Sequence, residues 1–539
     1  MNDMKAKVLL RGAAILSTAM LVSACGGGDD DDPSVTPLNN HVTISSGSLN
    51  GNAADASGIV SFKGIPYAAP PVGPLRWKEP QPVAPWSVAR DATTLGTKCW
   101  AANLGGGPAV TAGTGEDCLY LNVWSGAKTR GAKLPVMVWV HGGGFQFGTG
   151  SDPQSDGTEL AKRGVIVVTI NYRLGVFGFL ARPDLDAESG GHKSGMYGIQ
   201  DTIAALQWVK DNIAQFGGDP TKVTVFGESA GAHAVGMLMS SPLATGLFHR
   251  AIGESGAYWE SEMKTLAQAQ AFGAALGPLV NATTLDQLRA VPAAQLQNAT
   301  PYNLSLPAQF SPFVDGYVLP ELPYLRFAGG RQNDVPLLAG VNAGEGIPFM
   351  GYALPHNTAT AFINAATTAF GAAKMPTFLQ LYPATTDAQA VASAQTLVGD
   401  LTIRNETWTW ANQQYQTGKS PVYFYNFDFT SAFTPTAAHT DEIAYVFGNL
   451  LPGPFQSRDV PPSALDRSVS ATMQSYWTNF AKTGNPNATG LPAWPKYTGA
   501  GSQALNISQT IQAAPEEGTA RYQFLNQFRV NGIIAQGKH

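Results

Sequence analysis

The residues best suited to chemistry are five in a row, Gly227-Glu228-Ser229-Ala230-Gly231. They follow the apolar, β-branched run Val223 to Phe226 and precede a helix-compatible stretch, Ala232 to Ser240. A strand that passes through G-x-S-x-G into a helix is the setting of a nucleophile elbow. The glycines clear side chains from a turn too tight for them, and the serine hydroxyl stands above the strand end. The N-terminus of the next helix adds positive potential where an oxyanion would form. The chemistry this pattern suits is acyl transfer through Ser229.

A serine hydroxyl needs a base to become a nucleophile. Around such an elbow the chain order is Ser, acid, His. Of the eight histidines, His41, His141 and His192 precede the serine, His233 and His249 follow too closely, and His539 is terminal. His439 lies in a polar loop, Ala437 to Glu442, after the strand expected at Val422 to Phe427, where a base belongs. The other candidate, His356 in Pro355-His356-Asn357, reads as a surface turn. The acid expected to orient the base is Glu345, on a Gly-rich turn after the run Pro336 to Val341. Asp315 is the rival, although its Asp-Gly pair suits a turn bonded to itself. Asp441 and Glu442 flank His439 and could cap a helix. His141-Gly142-Gly143-Gly144-Phe145 follows the run Pro135 to Val140. The amides of Gly143 and Gly144, with that of Ala230, are the expected oxyanion donors.

These runs, together with Val165 to Ile170, alternate with helical stretches such as Asp201 to Phe216, whose apolar residues fall near one face. The alternation predicts an α/β fold with a mostly parallel sheet covered on both faces. The segments at about 258–330 and 350–420 are Ala- and Gln-rich and are expected to be helical insertions over the active site of one domain spanning 41–539. Trp477, Phe480 and Trp494 are expected as core anchors. Trp100, Phe145, Phe349 and Tyr352 could line an aromatic gorge or pack in the core.

Taken together, these motifs resemble the type-B carboxylesterase family, which includes cholinesterases and bacterial para-nitrobenzyl esterases. The resemblance runs from about Ile59 to Tyr497 and extends to Phe62 to Ala68, Pro71 to Arg76, Glu116 to Val123 and Asn171 to Gly175. It implies an α/β-hydrolase fold, carboxylic ester hydrolysis through an acyl-enzyme, and Ser229, Glu345 and His439 as the triad. It also implies that Glu228 and Ser255 support that triad from behind. His233 departs from the family, which usually has a small residue there, and is read as a packed or solvated helix residue.

Charged residues are only 13% of the chain, the net charge is −5, and no basic stripe is present. That excludes a general nucleic-acid binder. No zinc-ligand spacing or phosphate-binding loop occurs, so neither metal nor organic cofactor is expected.

The start of the chain reads as targeting. Lys5, Lys7 and Arg11 precede an apolar stretch too short to span a bilayer, which ends in Val22-Ser23-Ala24-Cys25. This resembles a bacterial lipoprotein signal over 1–24, with Cys25 lipidated, 25–40 a flexible tether, and the membrane met only through the lipid. The protein is expected to be exported, to the cell envelope or beyond. Cys99 and Cys118, the remaining cysteines, are then expected to bond, which stabilises by about 3 kcal/mol on a chain-entropy estimate. Rival readings are a non-catalytic binding module, a solute-binding lipoprotein, or the same machinery acting on amides, carbamates, aromatic polyesters or toxin side-chain esters.

Overall fold

The computed structural model describes residues 36–103, 112–257, 263–302, 309–453 and 460–529. The expected signal segment and Cys25 lie outside the described residues. Residues 36–40, expected within the flexible tether, are instead bonded to the body: Leu38 donates to the Lys128 carbonyl, and Asn40 Nδ2 to that of Gly51.

Ten strands form the central sheet. In chain order they are β1 (Val60–Pro66), β2 (Tyr120–Ser125), β3 (Leu134–Val140), β4 (Ile166–Ile170), β5 (Gly218–Glu228), β6 (Arg250–Glu254), β7 (Leu337–Asn342), β8 (Val422–Phe427), β9 (Gln503–Ile507) and β10 (Ile511–Pro515). Across the sheet the order is β10-β9-β8-β7-β6-β5-β3-β4-β2-β1. The seven strands from β9 to β4 are parallel, and antiparallel pairings appear only at the two edges.

Alternation along β3 shows how the sheet is covered. Val136, Val138 and Val140 point into one core and Met137 and Trp139 into the other. Helices α1 (Tyr197–Asn212) and α2 (Ala230–Ser240) supply Leu206, Val209 and Val235 to the first core. The second core takes Trp477 and Phe480, together with Trp494. Both faces of the central strands are thus dry, which is why they read as continuous apolar runs rather than alternating ones. Trp477, Phe480 and Trp494 are the buried anchors expected, and the Trp494 indole N–H donates to the Phe424 carbonyl at 3.0 Å.

The two Ala- and Gln-rich segments are helical. The first holds Leu266–Leu279, Leu285–Ala290, Ala293–Ala299 and Pro323–Ala328. The second holds Ala359–Phe370, Met375–Leu381, Asp387–Gly399 and α3 (Asn405–Thr417). The second segment also has a core of its own, where Phe362, Phe370 and Phe378 meet Phe524 and Leu525 from near the C-terminus. Cys99 and Cys118 form the expected disulfide.

Candidate active site

All the expected site residues stand at the C-terminal ends of neighbouring parallel strands, where ligands of such sheets bind. Ser229 follows β5 and starts α2 with φ 53° and ψ −123°. A left-handed backbone on a non-glycine residue stores strain of about 1–3 kcal/mol. Here the surroundings impose it. The Ser229 amide donates to the Glu254 carbonyl at 2.9 Å, and the Ser229 carbonyl accepts from the His233 amide at 2.9 Å. The flanking glycines are obligatory: a Cβ on Gly231 would lie 2.0 Å from the Val140 carbonyl oxygen, and one on Gly227 2.6 Å from the same atom.

Glu345 and His439 sit on two loops that are joined to each other. The first follows β7. The second runs from β8 to helix α4 (Asp441–Phe447). The Gly344 amide donates to the Ala437 carbonyl, and Asn342 Nδ2 to the Ala438 carbonyl at 2.8 Å. Across this joint, His439 Nδ1 lies 2.6 Å from Glu345 Oε2. The other carboxylate oxygen of Glu345 accepts the Asn342 amide at 2.7 Å. Burial works against a charge on Glu345, yet His439, Ser255 and the Asn342 amide together hold its carboxyl below the ordinary range. A bonded, fixed carboxylate selects the imidazole tautomer with its proton on Nδ1 and makes Nε2 the proton-accepting nitrogen.

That Nε2 lies 3.2 Å from Glu228 Oε1, and both side chains are buried. The contact lies outside hydrogen-bond geometry, so its effect is electrostatic. Burial alone would lower the affinity of His439 for a proton. The carboxylates of Glu228, Glu345 and Glu442 overcome it and push the imidazole up to about 9. Glu228 itself is raised well above the usual carboxyl range, chiefly by burial.

Behind these residues, Ser255 Oγ donates to Glu442 Oε1 at 3.0 Å, and Asn342 Nδ2 bonds the other oxygen of Glu442. Glu442, raised to about 7 by burial and then by Glu345, is a buried member of this acidic group rather than only a helix-capping residue. Glu254 is also fully buried and accepts the Trp477 indole N–H at 2.7 Å. The rival acid Asp315 does what its Asp-Gly pair suggested, accepting the amides of Tyr317, Val318 and Leu319. His356 bonds the nearby Leu354 carbonyl at 2.8 Å, in its own turn.

Ser229, Glu228 and His439 line one cleft with Gly142, Gly143 and Gly144. Its volume, open mouth included, is about 800 Å³. Gly143 (φ 105°) and Gly144 (φ 60°) follow β3, and a Cβ on Gly143 would lie 2.2 Å from the Phe147 carbonyl oxygen. Among the described residues, no protein acceptor takes the amides of Gly143, Gly144 or Ala230. Three unspent donors of this kind can hold a developing negative charge.

Phe349 lines the cleft and meets the His439 ring edge-on, with centroids 5.1 Å apart. Phe145 is instead core, packed on Tyr172 and Phe179, and Trp100 stacks on Phe177 beside the disulfide. Phe147 and Tyr302 also line the cleft, as does Ile443 on α4, where the sequence carries no distinctive motif. His233 stands outside it: its ring packs against Gly256 and Phe145, with Nε2 3.9 Å from Glu406 Oε2.

Known proteins identify the family and the fold. Residues 38–525 match the carboxylesterase family. The chain is 38% identical to fumonisin B1 esterase of Sphingopyxis macrogoltabida, over 90% of this chain and 89% of that protein. It is 37% identical to para-nitrobenzyl esterase of Bacillus subtilis strain 168, over 88% and 96%. A solved PNB esterase structure superposes with a TM-score of 0.75 at 35% identity, covering 90% of this chain and all of the other. The chain therefore belongs to the carboxylesterase family and is a carboxylesterase with the α/β-hydrolase fold.

Proposed function

We propose that this enzyme cleaves carboxylic esters in two steps through an acyl-enzyme on Ser229. His439 Nε2 takes the hydroxyl proton as Ser229 Oγ attacks the ester carbonyl. Glu345 holds the ring and stabilises the imidazolium. The amides of Gly143, Gly144 and Ala230 bind the oxyanion. The alcohol departs with the proton from His439, and water repeats the sequence to release the acid. Ser255 supports the His439–Glu345 pair from behind, and Glu228 supports it from the Nε2 side. The observation that carries this reading is the 2.6 Å contact between His439 Nδ1 and Glu345 Oε2 beside a serine held at φ 53°. The esterase names of the relatives support ester substrates. Residues 41–539 act as one domain, and the chain is exported with Cys25 lipidated.

The test is hydrolysis of short-chain para-nitrophenyl esters by protein lacking residues 1–25. Ser229→Ala is expected to lose at least about 10³-fold in kcat, as triad knockouts do. Undiminished turnover by that variant would overturn the assignment. Cys25→Ser is expected to move the protein out of the membrane fraction, and a wild type already absent from that fraction would refute lipidation.

A further inference from the structure

The loop that carries Glu345 is held on two sides. On one side the Ala343 amide donates to the Phe427 carbonyl of β8 at 2.9 Å, and the Gly344 amide to the Ala437 carbonyl of the His439 loop at 2.9 Å. In a trans peptide the carbonyl points opposite to the amide. The carbonyls of those two peptide units, Asn342 and Ala343, therefore face away from β8, and there they meet Arg404. Its Nε donates to the Asn342 carbonyl at 3.0 Å and its Nη2 to the Ala343 carbonyl. One planar fork thus grips two consecutive peptide units between β7 and the acid. Arg404 stands in a π-helical turn, Asp400–Arg404, that leads into α3. Such turns add a residue to a helix and recur at functional sites. Asp400, at the start of the turn, is fully buried. Its Oδ1 lies 3.6 Å from Arg404 Nη1, and its Oδ2 accepts Tyr382 OH at 2.8 Å and Arg521 Nε at 2.7 Å. The fork is anchored before it reaches the loop.

We infer that Arg404 is a positioning residue for ester hydrolysis, fixing the Glu345 carboxylate against His439 by clamping the loop that carries it. This rests on the reading that Glu345 orients His439. Arg404 touches no reacting atom. It acts through Asn342, whose amide bonds Glu345 Oε1 at 2.7 Å and whose Nδ2 bonds the Ala438 carbonyl beside His439 at 2.8 Å. Without the fork, the carbonyls of Asn342 and Ala343 lose these donors and the loop can shift. A displacement of about 1 Å in such a constellation costs up to about 10²-fold in rate.

The test uses two variants and a neutral para-nitrophenyl ester. Arg404→Met removes the fork and keeps much of the bulk. Arg404→Lys keeps the charge but offers one ammonium to two carbonyls. In both, kcat is expected to fall by about 10-fold or more while KM changes by less than about 3-fold. Against burial, the carboxylates of Glu228, Glu345 and Glu442 raise the proton affinity of His439. A loosened Glu345 therefore moves the acid limb of kcat/KM to lower pH, whereas loss of a nearby cation alone would move it to higher pH. In a Glu345→Gln background, adding Arg404→Met should cost less than about 3-fold more, because its effect passes through Glu345. An unchanged kcat, a limb displaced to higher pH, or the full loss repeated on top of Glu345→Gln would overturn the inference. Should Arg404→Met fail to fold, Arg404→Lys carries the same outcomes. Undiminished turnover by Glu345→Gln alone would instead overturn the reading on which the inference rests.

Discussion

The electrostatics of the cleft lead to a measurable shift in pH dependence when Glu228 is replaced by glutamine. His439 must be neutral to accept the Ser229 proton, so kcat/KM falls as pH drops through the proton affinity of the imidazole. That affinity is raised to about 9, with Glu228 the largest of the contributions that raise it, its Oε1 3.2 Å from Nε2. An opposite charge within about 4–6 Å stabilises the imidazolium by roughly 1–3 pH units. Glutamine keeps the shape and removes the charge, so the acid limb of kcat/KM should move to lower pH by about that amount. The assay is hydrolysis of a neutral para-nitrophenyl ester from pH 5.5 to 10 at fixed ionic strength, with folding checked by circular dichroism. An acid limb that stays put would mean that Glu228 is protonated and lends His439 no charge. A limb that moves to higher pH would contradict the sign of the interaction.

Two further outcomes concern stability. Gly231→Ala drives a methyl group to 2.0 Å from the Val140 carbonyl oxygen, so a loss of about 2 kcal/mol or more is expected. It would show as a lower urea midpoint, and an unshifted midpoint would refute the steric reading. Removing the Cys99–Cys118 bond by replacing both cysteines with serine should cost about 3 kcal/mol, read as a lower melting temperature. A double variant as stable as the oxidised parent would contradict that estimate.

The sequence made the central strands and the elbow plain because their constraints are local. Val223 to Phe226 is β-branched or aromatic, and apolar apart from Thr224, because β5 is covered on both faces, and Gly231 is glycine because no Cβ fits. Two strands were harder to read, and one of them, β6, lies in the middle of the sheet. Tyr120–Ser125 is a buried strand carrying Asn122 and Ser125, whose side chains bond Thr169 and the Phe216 carbonyl across the fold. Arg250–Glu254 is five residues long and contains a glycine that packs against Trp410. Glu345 and His439 could be placed by chain order, but their 2.6 Å contact depends on a joint 94 residues apart in sequence. Glu442 was legible only as a helix-start acid, since its burial among Ser255 and Asn342 is set by the ends of β6 and β7 meeting the start of α4. The aromatic residues show the same limit. Phe145 and Phe349 look alike as letters, yet the left-handed turn at Phe145 (φ 60°) sends one into the core while the other faces His439.

One hydroxyl, that of Ser229, is proposed to carry the acyl group. The most direct measurement is covalent trapping. The enzyme is inactivated with a fluorophosphonate, digested, and the labelled residue located by tandem mass spectrometry. A single label on Ser229, rising in proportion to lost activity and slowed in His439→Ala, is the predicted result. Complete inactivation with the label on any other residue would contradict it.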